Sequence, residues 1–159
     1  MSLFREYNFV FRKATLADAE MVLIWRNAEI NRRYSLDKKI IGREEHMTWF
    51  TMVLNNDKIF LLIVEDGTGP IGVIRYDVPD GTARVSIYLK PGETGRGLGS
   101  AILRYGCEWL QQHVPVVNFI EAQISPDNIA SIKAFMKAGF KPSYLVYKKS
   151  IKRLETMNG

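Results

Sequence analysis

The hydrophobic pattern alternates between strand-like and helical periods along the chain. Asn8 to Lys13 sets Phe9 and Phe11 against Val10 and Arg12, which predicts a first strand. Thr15, with Asp18 three residues on, resembles a capping box in which Asp replaces the usual Glu or Gln. It opens a helix through Leu16, Ala19, Leu23 and Arg26 that ends at Trp25-Arg26-Asn27. A polar stretch from Glu29 to Ile41 carries Arg32, Arg33, Tyr34, Ser35, Lys38 and Lys39. The helical period returns from about Arg43 to Leu54, with His46, Trp49, Phe50 and Val53 on one face. After the turn residues Asn55-Asn56-Asp57, Ile59 to Glu65 is a continuous apolar strand. Asp66-Gly67 leads into Ile71 to Asp77, and Pro79-Asp80-Gly81 turns the chain back into Thr82 to Leu89. These three strands form an antiparallel meander.

The stretch from Val85 to Leu110 organises the rest. Val85, Ile87 and Leu89 alternate with Ser86, Tyr88 and Lys90 until Pro91-Gly92 breaks the strand. Gly92, Gly95, Gly97 and Gly99 follow. A helix then carries Leu98, Ala101, Ile102, Tyr105 and Trp109 and ends before Pro115. Such a loop brings backbone N–H groups and a helix N-terminus to one point, a ready site for phosphate. Two nucleotide motifs are excluded by spacing. G-x-G-x-x-G fails because Ser100 or Ile102 fills its last slot, and a P-loop fails because Leu98 follows Gly97. Downstream, Phe119 to Ile124 reads as a buried strand, and Ser125-Pro126-Asp127 leads to a helix from Asn128 that Gly139 terminates. Tyr144 to Ile151 reads as the last strand.

Composition narrows the class. The 159 residues suit one domain, 1–159, and 47% hydrophobic with 25% charged residues is ordinary for a globular protein. The longest apolar runs, such as Ile59 to Val64, fall far short of the roughly 20 residues that span a bilayer, and the N-terminus lacks a signal-peptide core. Cys107 has no disulfide partner, so a cytoplasmic location is expected. His46, His113 and Cys107 assemble no set of soft metal ligands, and no metal is expected. The net charge of +5 attracts phosphate, but the basic residues are spread and only Lys148, Lys149, Lys152 and Arg153 cluster. An anionic cofactor explains that balance better than nucleic acid does.

Two motifs carry a family resemblance. Leu89-Lys90-Pro91 and Thr94-Gly95-Arg96-Gly97-Leu98-Gly99 resemble the acetyl-CoA loop of the GNAT N-acetyltransferase superfamily, (Gln or Arg)-x-x-Gly-x-(Gly or Ala) after a strand ending in hydrophobic-x-Pro. Thr94 stands where Gln or Arg is usual. Asn128 to Phe140 resembles that family's Asn-x-x-(Ser or Ala)-x-x-x-Tyr-x-x-x-Gly-Phe helix, with Phe135 at the Tyr position. The phrase Phe11 to Thr15 followed by Asp18-Ala19 also looks like the way many GNAT domains begin.

The resemblance implies an α/β fold with a mixed, mostly antiparallel sheet of about six to seven strands flanked by about four helices. It implies acetyl-CoA as co-substrate, with its pantetheine arm between the strand before the loop and the strand after the helix. Ile87, Tyr88 and Leu89 would offer backbone groups to that arm, and Thr94, Gly95, Arg96, Gly97, Leu98, Gly99 and Ser100 would hold the pyrophosphate. Asn128, Ser131 and Phe135 would contribute from the second motif. A homodimer is allowed.

Proton transfer is less defined by the resemblance. Phe135 cannot protonate the leaving thiolate, so Tyr144, Ser131, water or unassisted departure stand in. The family's Glu on the strand before the loop has Arg84 as its nearest equivalent, and Ser86 and Tyr88 are poor bases. His46, with an ordinary pKa near 6.5, suits that role. His46, Tyr88 and Tyr144 are therefore the catalytic candidates.

Trp25-Arg26-Asn27, Glu44-Glu45-His46 and Trp49-Phe50 resemble the branch that acetylates UDP-linked 4-amino-4,6-dideoxy sugars. Arg26, Arg32 and Arg33 suit a diphosphate, and Trp25, Tyr34 and Trp49 suit a base or sugar face. Trp25 and Trp49 equally suit the core. Trp25, Arg26, Asn27, His46 and Trp49 are the acceptor candidates. A small-molecule amine on a sugar nucleotide is the expected acceptor, with a protein N-terminus as the alternative. The missing Tyr and Glu leave room for a non-catalytic CoA-binding module.

Overall fold

The computed structural model describes residues 6–149. In chain order the elements are β1 (Val10–Lys13), a 3-10 turn (Leu16–Asp18), α1 (Ala19–Asn27), α2 (Glu29–Arg32), α3 (Arg43–Leu54), β2 (Ile59–Asp66), β3 (Gly69–Asp77), β4 (Thr82–Leu89), α4 (Leu98–His113), β5 (Phe119–Glu121) and α5 (Ile129–Lys137). One sheet runs in the order β1-β2-β3-β4-β5. Its first four strands are antiparallel, and β5 pairs parallel to β4.

Both faces of the sheet are covered, which explains why β2 is apolar without interruption. Leu61 and Ile63 point to one side, where Val22, Trp25, Phe50 and Val53 of α1 and α3 pack with Val73. Leu62 and Val64 point to the other, where they meet Ile74, Tyr76 and Leu98, Ile102, Leu103 and Leu110 of α4. Near the start of the chain, Asp18 accepts the Thr15 N–H at 2.8 Å and both Arg12 Nη atoms at 2.8 Å, while Arg12 Nε reaches Glu65 at 2.7 Å. The Arg12 guanidinium holds the Asp18 carboxyl below the usual carboxylate range. The capping box read from Thr15 and Asp18 is present, and Arg12 ties it to β1 and, through Glu65, to β2.

Among the described residues, five strands and five helices come close to the expected numbers, with three local differences. The polar stretch after Asn27 contains a one-turn helix, α2, which a uniformly polar segment does not announce. The strand read over Phe119 to Ile124 stops at Glu121, and Phe119 is exposed, because the chain pairs β4 only at Thr82, Ala83 and Arg84 before leaving it. The strand read over Tyr144 to Ile151 is absent through Lys149, and its remainder lies outside the described residues. Tyr144, Leu145, Val146 and Tyr147 are exposed, since a three-residue β5 offers an outer strand little edge to pair with.

Candidate functional site

The loop between β4 and α4 is built for an anion. Gly92, Gly95 and Gly97 hold φ of 93°, 79° and 75°, in the region that favours glycine. A Cβ at any of the three would meet nothing within 4 Å, so open space rather than packing surrounds them. Gly97 is the N-cap of α4, and no side chain caps this helix. The first-turn N–H groups and the positive end of the 16-residue helix are left to a ligand. Thr94, Gly95, Gly97, Leu98, Gly99 and Ser100 line a cavity of about 980 Å³. Arg96 does not; its Nη1 is held by Glu93 at 2.7 Å.

From the loop the cavity follows the free side of β4. The Lys90 N–H donates to Ile71 O across β3, which makes Leu89 and Gly72 a non-hydrogen-bonded pair. By the two-residue period, Ile87 is paired the same way with Ile74, and Tyr88 exchanges both its bonds with Val73. Ile87 and Leu89 therefore turn their N–H and C=O away from β3, into the gap that opens once β5 has left. The backbone of Tyr88, expected to share this role, is committed to β3. Across the gap, Asn128 Oδ1 accepts the Ser131 N–H at 3.1 Å and so caps α5. Phe135 is 6% exposed and stacks edge-on against Phe140, so it serves as both core and cavity wall.

The far end of the cavity is a chamber between α1, α2, α3 and the sheet. His46 is 2% exposed and lies against Trp49 and Phe50. Its Nε2 lies 2.7 Å from Ala19 O; a carbonyl can only accept, so Nε2 carries the proton and Nδ1 the lone pair. Burial pushes the imidazole pKa below its usual value. Tyr88 turns its side chain into the chamber, with Oη 3.5 Å from Val22 O, and burial raises its phenol against the pull of Arg26 and Arg75. Arg75 lies 5.7 Å from the Trp49 ring centroid and pairs with Asp77 at 3.0 Å.

Arg26 Nη2 donates to Asp37 O at 2.8 Å, but its Nη1 is shielded from solvent and has no partner among the described residues. Glu45, another wall residue, is neutralised by Lys39 at 2.8 Å.

The cavity thus gathers most of the residues read from the sequence. Four lie elsewhere. Trp25 is buried in the core. Asn27 exchanges two 2.9 Å bonds with Ile41 and braces the segment above the chamber. Arg96 is tied to Glu93, and Tyr144 is exposed off the cavity. Asn31, Arg75, Lys133 and Lys137 also line it and were not singled out. Arg75 carried a usable signal, a charge in an otherwise apolar strand two residues from Asp77. Asn31 carried none within its polar neighbourhood.

An uncapped helix behind a glycine loop, a strand with one free edge and a separate chamber suit a protein that brings a phosphate-bearing co-substrate together with a second molecule. Residues 8–141 match the acetyltransferase (GNAT) domain, and the chain belongs to that family. It is an acetyl-CoA-dependent N-acetyltransferase. No curated protein matches the chain. Among solved structures it is similar to the aminoglycoside acetyltransferase AAC(6')-Ib in complex with coenzyme A, at 22% identity over 86% of each chain with a TM-score of 0.76. The same enzyme with ribostamycin and coenzyme A gives 22% identity, 86% of this chain, 84% of that one and 0.78. Spermidine N-acetyltransferase from Vibrio cholerae, with CoA and spermine, gives 14% identity, 91% and 88% coverage and 0.78. Among the described residues there is no group of three His, Cys, Asp or Glu that could hold a metal, and no helix long and apolar enough to cross a membrane.

Proposed function

We propose that the acceptor is the primary amine of an amino-sugar nucleotide, a UDP-linked 4-amino-4,6-dideoxy sugar being the preferred form. The observation that carries this reading is the Arg26 guanidinium, half-buried in the chamber wall with one Nη lacking a partner among the described residues. A buried donor without a partner calls for an acceptor, and a guanidinium favours a phosphate or carboxylate oxygen. Arg33 and Arg75 add cationic character to the same wall, and Trp49 offers a flat apolar face. A polyamine or an aminoglycoside carries several ammonium groups and would meet these cations; of the wall's carboxylates, Glu45 pairs with Lys39 and Asp37 accepts the Lys39 N–H.

When bound, the thioester supplies an activated acetyl group and a thiolate leaving group. The Ile87 and Leu89 N–H groups on the free side of β4 stabilise charge developing on the carbonyl oxygen. His46 stays neutral at pH 7 and offers Nδ1 to the proton released by the amine, directly or through one water. Phe135 offers the thiolate no proton; a thiol pKa of about 8.5 makes the thiolate able to leave unassisted.

Thiol release from acetyl-CoA, with product mass, tests the acceptor across UDP-4-amino-dideoxy sugars, polyamines, aminoglycosides and short N-terminal peptides. Turnover is expected with the sugar nucleotides, and Arg26→Ala should raise their KM at least tenfold while kcat stays within threefold. Turnover confined to the polyamines or peptides would overturn the acceptor assignment.

A further inference from the structure

We infer that Asn31 is a positioning residue that sets the distance between the acceptor chamber and the thioester. Its side chain lies where α2 meets the end of β4, and both hydrogens of Nδ2 are in use. One goes to Trp25 O at 2.8 Å and the other to Leu89 O at 2.9 Å. Trp25 lies in the last turn of α1, among the carbonyls that have no partner within the helix. Leu89 ends β4, with its carbonyl on the side away from β3. One amide therefore joins the acceptor wall directly to the edge assigned to the thioester. Ser35 Oγ donates to Asn31 O at 3.0 Å and steadies the same turn from behind.

The second bond has a chemical consequence. A thioester carbonyl oxygen is an acceptor, and so is Leu89 O; facing each other they repel. Asn31 occupies Leu89 O and fixes the orientation of the last peptide of β4, so at this end the edge offers the Leu89 N–H and no free carbonyl, while Ile87 keeps both its groups toward the gap. Asn31 touches no reacting atom. It acts through the β4 backbone, where a misplacement of about 1 Å can cost on the order of a hundredfold in rate. The inference rests on the assignment of the β4 edge to the thioester and is independent of which amine is the acceptor.

The test uses [1-13C]acetyl-CoA as the probe and needs no acceptor. In the unaltered protein the bound carbonyl resonance should lie downfield of the free thioester; no displacement would refute the edge assignment itself. Asn31→Ala removes both donated bonds, and Asn31→Asp keeps the shape but faces two carbonyls with a carboxylate. At saturation and pH 8, each variant should lose at least about half of the displacement, while its CoA dissociation constant, measured by calorimetry, stays within threefold. Either variant suffices if the other fails to fold. An unchanged displacement in the folded variants would overturn the role of Asn31. So would a loss of CoA affinity above tenfold, which would make Asn31 part of the cofactor's binding site.

Discussion

His46 links stability to pH through its burial. Its imidazole pKa lies below the ordinary 6.5, desolvation being the largest cause. Between the folded and unfolded values the unfolded chain binds more protons, so stability rises with pH across that window. The contribution is complete above about pH 6.5 and is lost as the pH falls through the depressed folded value. Asp18, also depressed, acts in a separate window below its ordinary 3.8. Thermal midpoints measured from pH 8 to 5 should fall on the acid side for the unaltered protein. His46→Gln should lower the midpoint at pH 7 and flatten the slope between pH 7 and 5. An equally steep slope in the variant would assign the titration to another group.

At the level of elements, the junction of the glycine loop with α4 separates ligand binding from packing. Gly97→Val forces a left-handed φ on a branched side chain, a loss of about 1–3 kcal/mol, but its Cβ meets no protein atom within 4 Å. The variant should fold with a lower thermal midpoint and bind CoA at least tenfold more weakly by calorimetric titration. Retained affinity would remove the loop from the binding site. This junction was legible in the sequence because glycines, a proline and a change of hydrophobic period coincide there, and the meander was legible because its strands are apolar between clear turns. The short β5 was not, since where a strand leaves its neighbour depends on tertiary geometry. Trp25 and Trp49 read alike along the chain, yet one is core and the other cavity wall, a difference set by the angle at which α1 and α3 meet the sheet. Asn31 could not be found at all, because its meaning lies in a carbonyl 58 residues away.

For the whole molecule, the cavity is where the layers on the two faces of the sheet meet. α4 and α5 supply one wall and α1 to α3 the other, with the end of β4 between them. A ligand that spans this seam binds only the folded chain. At a hundred times its dissociation constant, CoA should add about 2.7 kcal/mol of stability. For a chain of this size that corresponds to a rise of about 5–11 °C in Tm by calorimetry. A Tm independent of CoA concentration would mean that the folded chain does not bind CoA in preference to the unfolded one.

The free side of β4 carries one more consequence. A ligand that lies along it as an extra strand is read by peptide groups, which every substitution except proline preserves. Side chains there can drift so long as the strand keeps its pleat, and the demand on sequence shrinks to the few glycines that let the chain turn. The helices above the chamber bear no such constraint and are free to specialise. Under the proposed assignment, one co-substrate is held by the main chain and the other by the side chains that α1 to α3 present.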